Sequence, residues 1–225
     1  LKKDPENVYL AHAPRQRLKA EFVRDMYLAS SGLLIPTIGG PSVKPYQPKG
    51  IWELASSGRG VLATYKQDHN EALYRRGMYN FIKLTVPPPA MIMFDASNRD
   101  QCEVKRLQTN TPLQALIMMN DPAVLEASRV LAQHLLEDKA SASDEERITT
   151  AFRRILCRKP TQQELKILLE YHQDQLSQFQ AKKLDAATTL KPGEYPLNKD
   201  LDLNKTAALM KTVNTMYNLE EAIVK

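Results

Sequence analysis

The sequence predicts a mainly α fold, a helical bundle wrapped by a long Gly/Pro-rich irregular segment, with room for one short hairpin. Three observations carry this expectation. Helix-start signals, a Ser or Thr followed three residues later by Glu or Gln, recur at Thr111, Ser143 and Thr161. Apolar residues at helical spacing follow each of them. Between Leu33 and Gln67, Gly39-Gly40-Pro41 and Pro45-Tyr46-Gln47-Pro48 forbid long helices. A chain of 225 residues can bury a sizeable core. It is read as a single domain, 1–225: a helix over 14–31, a wrapping loop over 32–67, a signature segment over 68–121 and a helical bundle over 122–222.

In order, residues 1–13 read as an extended lead-in. From Pro14 to Ser31, Leu18, Phe22, Val23, Met26 and Tyr27 share one helical face, and Gly32 is a stop signal. In the wrapping loop Tyr46, Trp52 and Tyr65 are expected as packing anchors, with an aromatic carbohydrate platform as the sharper alternative. Asp68 is read as the cap of a helix running to about Lys83, with Leu73, Tyr74, Gly77, Met78 and Phe81 inside. Pro87-Pro88-Pro89 reads as extended polyproline. Thr111-Pro112-Leu113-Gln114 reads as a capping box with proline at the first helical position. It opens a short helix buried on most sides through Leu113, Leu116, Ile117, Met118 and Met119. Asp121 caps the next helix, whose stripe is Val124, Ser128, Leu131, Leu135 with Leu125, Ala132, Leu136.

Ser143 opens a helix carrying Ile148, Ala151, Phe152 and Ile155, ended by Pro160. Thr161 caps another with Leu165, Leu168, Leu169, His172, Leu176 and Phe179. His172 sits at the edge of that stripe, as a packed or half-exposed histidine. Lys182 to Pro196, with Lys191-Pro192-Gly193, reads as a loop. The last helix runs from about Lys205 to Ala222 and presents Leu209, Val213, Met216, Tyr217 and Glu220.

Composition excludes several classes of function. Net charge is +5, concentrated in residues 1–112, which hold 16 Lys/Arg against 10 Asp/Glu. That modest excess could steer an acidic partner. It falls short of a nucleic-acid footprint, and no helix-turn-helix, zinc-finger or RNA-recognition pattern occurs. No apolar run approaches the length of a membrane span. Leu1 opens onto Lys2, Lys3 and Asp4 without a signal-peptide pattern, and the missing initiator methionine reads as a fragment or a processed chain. His12, His69, His134 and His172 are not in HExxH spacing, and no GxSxG elbow, phosphate-binding loop or CxxCH haem attachment is present. No cofactor and no metal is expected in this chain.

The remaining chemistry lies in the central stretch. His69, Arg75, Arg76, Asp95, Arg99 and Arg106 are the candidate binding residues. A guanidinium fork suits carboxylate or phosphate recognition, and a neutral-range histidine suits acid-base work. The same residues equally suit internal ion pairs that hold a loop-rich segment in place. Asp95 with Asp100 forms a carboxylate pair that sequence cannot place. Cys102 and Cys157 are the only cysteines, and they read either as a disulfide tying the central loop to the later helices or as two separate thiols.

The run LYRRGMYNFIKLTVPPPAMIMFDASNRDQCEVKRLQTNTPLQALIMMNDP, from Leu73 to Pro122, resembles the core signature of a family called domain of unknown function 1553, or planctomycete-specific domain. Ile38 to Glu53 resembles its upstream motif, and Arg154 to Glu164 its downstream helix pair. The resemblance implies the C-terminal module of a large exported bacterial protein, periplasmic or extracellular. It also implies partners in the other domains of the same polypeptide, a c-type cytochrome domain among them, and it supplies no catalytic residues. Two functions follow as expectations. One is a non-catalytic structural or interaction module of that larger protein. The other is part of an enzyme or ligand-binding site for an anionic or carbohydrate substrate, formed by the central Arg/Asp stretch with a partner domain. An electron-transfer surface for the cytochrome domain is a weaker third.

Overall fold

Buried aliphatic stripes decide the architecture. The computed structural model of the chain describes residues 4–9, 15–54, 62–97, 99, 102–138 and 142–224. Its elements in order are α1 (Ala20–Ser31), the single turn α2 (Ile51–Leu54), α3 (Pro89–Met93), α4 (Pro112–Asn120), α5 (Pro122–Asp138), α6 (Asp144–Leu156), α7 (Gln162–Gln180), the turn α8 (Ala186–Thr189), α9 (Leu203–Tyr217) and the turn α10 (Glu220–Ile223). The fold is mainly α, as expected.

Helix α9 is the central member. It packs most extensively on α5 and then on α7, with α6 also against it. Ala207, Ala208, Met210, Val213, Met216 and Tyr217 of α9 are almost wholly buried, as are Val124, Ala127, Leu131 and Leu135 of α5. Small residues let α5 and α9 approach closely, and the larger ones fill the layer between them. Helix α1 lies across α5 and α6. The Tyr217 hydroxyl meets Ser30 Oγ at 2.7 Å, tying α1 to α9.

Both later capping boxes form. Ser143 Oγ accepts from the Glu146 amide at 3.2 Å, and Thr161 Oγ1 from the Glu164 amide at 3.3 Å, with each glutamate returning to the cap amide. The box expected at Thr111 does not. Thr111 makes no side-chain cap bond, because Gln114 turns inward. Its amide Nε2 donates to the carbonyls of Met93 (2.7 Å) and Thr109 (3.2 Å), and its Oε1 accepts from Arg17. Asp121 caps α5 as expected, accepting from the Ala123 amide at 2.8 Å.

Five further expectations are corrected. The first helix starts at Ala20, not Pro14, because the Leu18 amide donates to Ile223 and Arg17 bridges Val224, which holds that stretch extended. Phe22, on its expected inner face, is exposed. The helix expected over 68–83 is two short 3-10 turns, Asn70–Tyr74 and Gly77–Tyr79. Tertiary bonds override its propensity: Tyr74 C=O accepts from Ile35, Tyr79 C=O from Val43, and Asp68 from the Lys44 amide rather than capping a helix. Gly77 presses so closely on α1 that a Cβ there would lie 2.7 Å from the Glu21 carbonyl oxygen. The expected hairpin is a single antiparallel bridge, Lys83 with Val86, and the last helix ends at Tyr217, leaving Glu220 exposed.

The wrapping segment is anchored as expected. Trp52 is buried, its Nε1 donating to Leu62 C=O at 2.8 Å, and its ring lies 5.1 Å from Tyr65 and 6.1 Å from Phe81. A buried ring offers no platform to a sugar, so the carbohydrate-platform alternative falls. Of the three prolines, Pro89 is the first residue of α3 and Pro88 its extended N-cap.

Candidate functional site

The arginines and acids of the signature segment do not converge. Arg75 is buried and donates to the carbonyls of Pro41 (2.7 Å), Thr37 (3.3 Å) and Gly39, with its guanidinium 3.9 Å from the Tyr79 ring centre. It holds the Gly39-Gly40 turn in place. Arg76 lies 3.7 Å from Asp25 of α1. Arg106 donates to both oxygens of Glu21, at 3.0 and 2.8 Å. Burial of Glu21 works to raise its pKa, but the Arg106 bonds and charge win and hold it below the ordinary value. Asp95 accepts from the Thr109 amide at 2.7 Å and from its hydroxyl at 3.0 Å, closing the loop between α3 and α4. Arg99 is exposed, and its backbone N–H meets Ser97 Oγ at 3.2 Å. His69 is at the surface, its Nδ1 2.7 Å from Glu194. Cys102 and Cys157 are both exposed free thiols, so no disulfide joins them. Asp100 lies outside the described residues.

What the same segment does build is an apolar groove of about 650 Å³. Val23 and Tyr27 of α1 form one wall, Met91 and Phe94 at α3 another, and Leu113 and Ile117 of α4 a third, with Pro45 to Pro48 as its edge. Gln114 sets this geometry, since its bonds to Met93 and Thr109 fix the start of α4 against the end of α3. Along its outer side α4 leaves Leu113 and Leu116, which also line the groove, each 57% exposed and Met119 51% exposed. The expectation that α4 is buried on most sides is therefore wrong. It is a surface helix with an apolar outer face.

Few polar groups reach the groove. Arg24, buried, donates to the carbonyls of Arg75 (3.3 Å) and Leu73 and to the Tyr27 hydroxyl (3.4 Å). Burial pushes the Tyr27 phenol up to about 12, against the pull of Arg24. Burial also raises the Asp121 carboxyl, opposed by the Ala123 amide and by Arg24. Asn80, Gln47, Tyr46 and Asn120 also line it. Sequence reading missed Arg24, Asn80 and Gln47. Arg24 sits one residue from the apolar stripe of α1, and that position next to Val23 was the available signal.

A second polar cluster, also missed, lies under the wrapping loop. Glu126, on the buried side of α5, accepts from the hydroxyls of Tyr46 and Tyr74, both at 3.0 Å, and from the Tyr195 amide at 2.7 Å. Arg129 lies 3.9 Å away and donates to Gln133 and to Tyr195 C=O, both at 2.7 Å. Burial raises the Tyr46 and Tyr74 phenols, with Glu126 adding to the rise, and burial lowers Arg129. Gly193 is required here, since a Cβ on it would fall 2.2 Å from Glu126 Cδ. Among the described residues no group of three His, Cys, Asp or Glu could hold a metal ion. No helix among them is long and apolar enough to cross a membrane.

The groove and the helices that frame it all fall inside one stretch matched by a single family model, described as protein of unknown function (DUF1553), over residues 1–172. The chain belongs to the DUF1553 family. No curated protein and no solved structure matches it. Within the DUF1553 match lie α1 to α6 and the first turns of α7, while α9, on which α5 and α7 pack, lies beyond it.

Proposed function

We propose that this chain is a non-catalytic interaction module of a larger exported multidomain protein, and that the groove between α1, α3 and α4 docks a neighbouring domain of the same polypeptide. One observation carries the reading. The signature segment ties up Arg75, Asp95 and Arg106 in internal bonds and turns an apolar groove, lined by Leu113 and Leu116 with Met119 beside it, toward solvent. Contiguous exposed apolar surface of this kind marks interaction sites. The family resemblance supplies the candidates for the partner, other domains of the parent chain with a c-type cytochrome domain among them, and a periplasmic or extracellular setting, which cell fractionation of the parent protein tests.

The docking test uses the parent polypeptide. Leu113→Asp with Leu116→Asp is expected to release the neighbouring domain, seen as new protease-sensitive linker cleavage, while this module's own stability stays within about 0.5 kcal/mol, as for exposed positions. A parent chain that keeps its compactness and protease resistance with both aspartates in place would overturn the reading.

A further inference from the structure

Two polar atoms of groove-lining residues have no hydrogen-bond partner among the described residues: Asn80 Oδ1, an acceptor, and Gln47 Nε2, a donor. The Asn80 side chain is held at the groove by its backbone, between the Tyr79 and Phe81 peptides that pair with Val43. Asn80 is only 5% exposed. An unpaired buried carboxamide is unfavourable and rare, and one explanation for keeping it is a partner that arrives with a ligand. The terminal torsions of Asn and Gln are broad and two-fold, so both groups can turn toward an incoming partner at little cost.

The two atoms ask for complementary things. Asn80 needs a donor and Gln47 an acceptor, and a peptide unit offers both at a fixed separation. The charged groups of the groove ask for nothing further. Arg24 is bonded to Leu73, Arg75 and Tyr27, and Asp121 to the start of α5. The walls are aliphatic, aromatic and proline side chains, and the apolar surface runs from the lining residues Leu113 and Leu116 on to Met119. An occupant that fills the groove and follows that surface is longer than a small molecule.

Resting on the docking reading above, we infer that the groove takes an extended, uncharged, apolar peptide segment, whose apolar side chain enters the cavity while one of its backbone amides bridges Asn80 and Gln47. Asn80 and Gln47 then select an exposed peptide unit, and the walls select against charge.

The experiment is a selection of phage-displayed random dodecapeptides on the intact chain, followed by calorimetry with the most enriched synthetic peptide. Uncharged apolar sequences are expected. Asn80→Leu and Gln47→Leu should each weaken that peptide about tenfold, the loss of one buried hydrogen bond. Without peptide, Asn80→Leu should leave the melting temperature unchanged or raise it, since it removes an unsatisfied group; a structural asparagine would lower it. Replacing the bridging peptide bond by an ester should weaken binding to the wild type and not to Asn80→Leu. Failure to enrich any peptide, enrichment of charged sequences, or wild-type affinity in both variants overturns the inference. If Leu113→Asp with Leu116→Asp releases the neighbouring domain while Asn80→Leu and Gln47→Leu do not weaken the peptide, the docking reading stands and this one falls. If the aspartates release nothing, the docking reading itself falls.

Discussion

Two polar regions of this molecule sit a short way apart and behave in opposite ways. Under the wrapping loop, Glu126, Arg129 and Gln133 are buried and bonded on every side. At the groove, Asn80 Oδ1 and Gln47 Nε2 are buried and have no partner among the described residues. Tyr46 touches both, lining the groove while its hydroxyl donates to Glu126. The difference teaches how to sort buried polarity by role. A network closed on itself fixes conformation, whereas polar atoms left open beside an apolar cavity are a vacancy in the hydrogen bonding that a partner can fill.

The largest effect should come from opening the closed network. Glu126→Leu leaves Arg129 without its counter-charge and strips partners from two tyrosines and the Tyr195 amide, and should cost about 3–5 kcal/mol in urea unfolding. If the loss is under about 1 kcal/mol, the distinction between the two regions collapses. Next, Arg75→Ala frees the carbonyls of Thr37, Gly39 and Pro41 and should cost about 1–3 kcal/mol, with peptide affinity falling less than fold stability. An anionic or sugar ligand whose binding was abolished by Arg75→Ala in a fully folded protein would instead restore the arginine to a binding role.

A smaller effect is expected from His172, which is buried against Thr212 Oγ1 at 3.2 Å with Asp144 at 3.7 Å. Burial lowers its pKa below 6.5, against the pull of Asp144. The unfolded chain therefore binds more protons than the folded one between the lowered value and 6.5. The stability that this neutral histidine supplies is complete above that range and is lost as pH falls through it. His172→Gln should flatten the acid arm of a melting-temperature profile as pH falls below about 6.5. The smallest response belongs to Arg158, at the surface between Glu164 and Glu221 at 2.6 and 2.7 Å, where Arg158→Ala should matter mainly at low salt.

The bundle was legible because its signals are local. Ser143 with Glu146, and Thr161 with Glu164, are three residues apart, and the stripes of α5, α6 and α7 can be read without knowing what they face. The segment over 68–83 was not legible, because its conformation is set by Ile35, Val43 and Glu21, which are distant in sequence. Gln114 shows the same limit within one motif. The spacing from Thr111 is right for a cap, but bonds to Arg17, Met93 and Thr109 outweigh it. At the candidate site, residue type suggested an ionic cleft in the right stretch of chain, and pairing within the fold removed it. The groove itself could not be read, since whether Leu113 and Leu116 are core or surface depends on how far α4 sits from α9.

Helix α9 carries a consequence for how the family is handled experimentally. The matched region stops at residue 172, yet Tyr217 holds α1 through Ser30 and Tyr27, and Tyr27 is a wall of the groove. A polypeptide ended at the match boundary would expose the faces of α5 and α7 that α9 covers, and would leave α1 without its far anchor. The stretch recognisable by similarity is thus shorter than the stretch that must fold together. Expression trials or deletion maps drawn from the family boundary would report insolubility and loss of binding that belong to the missing helix, not to the signature.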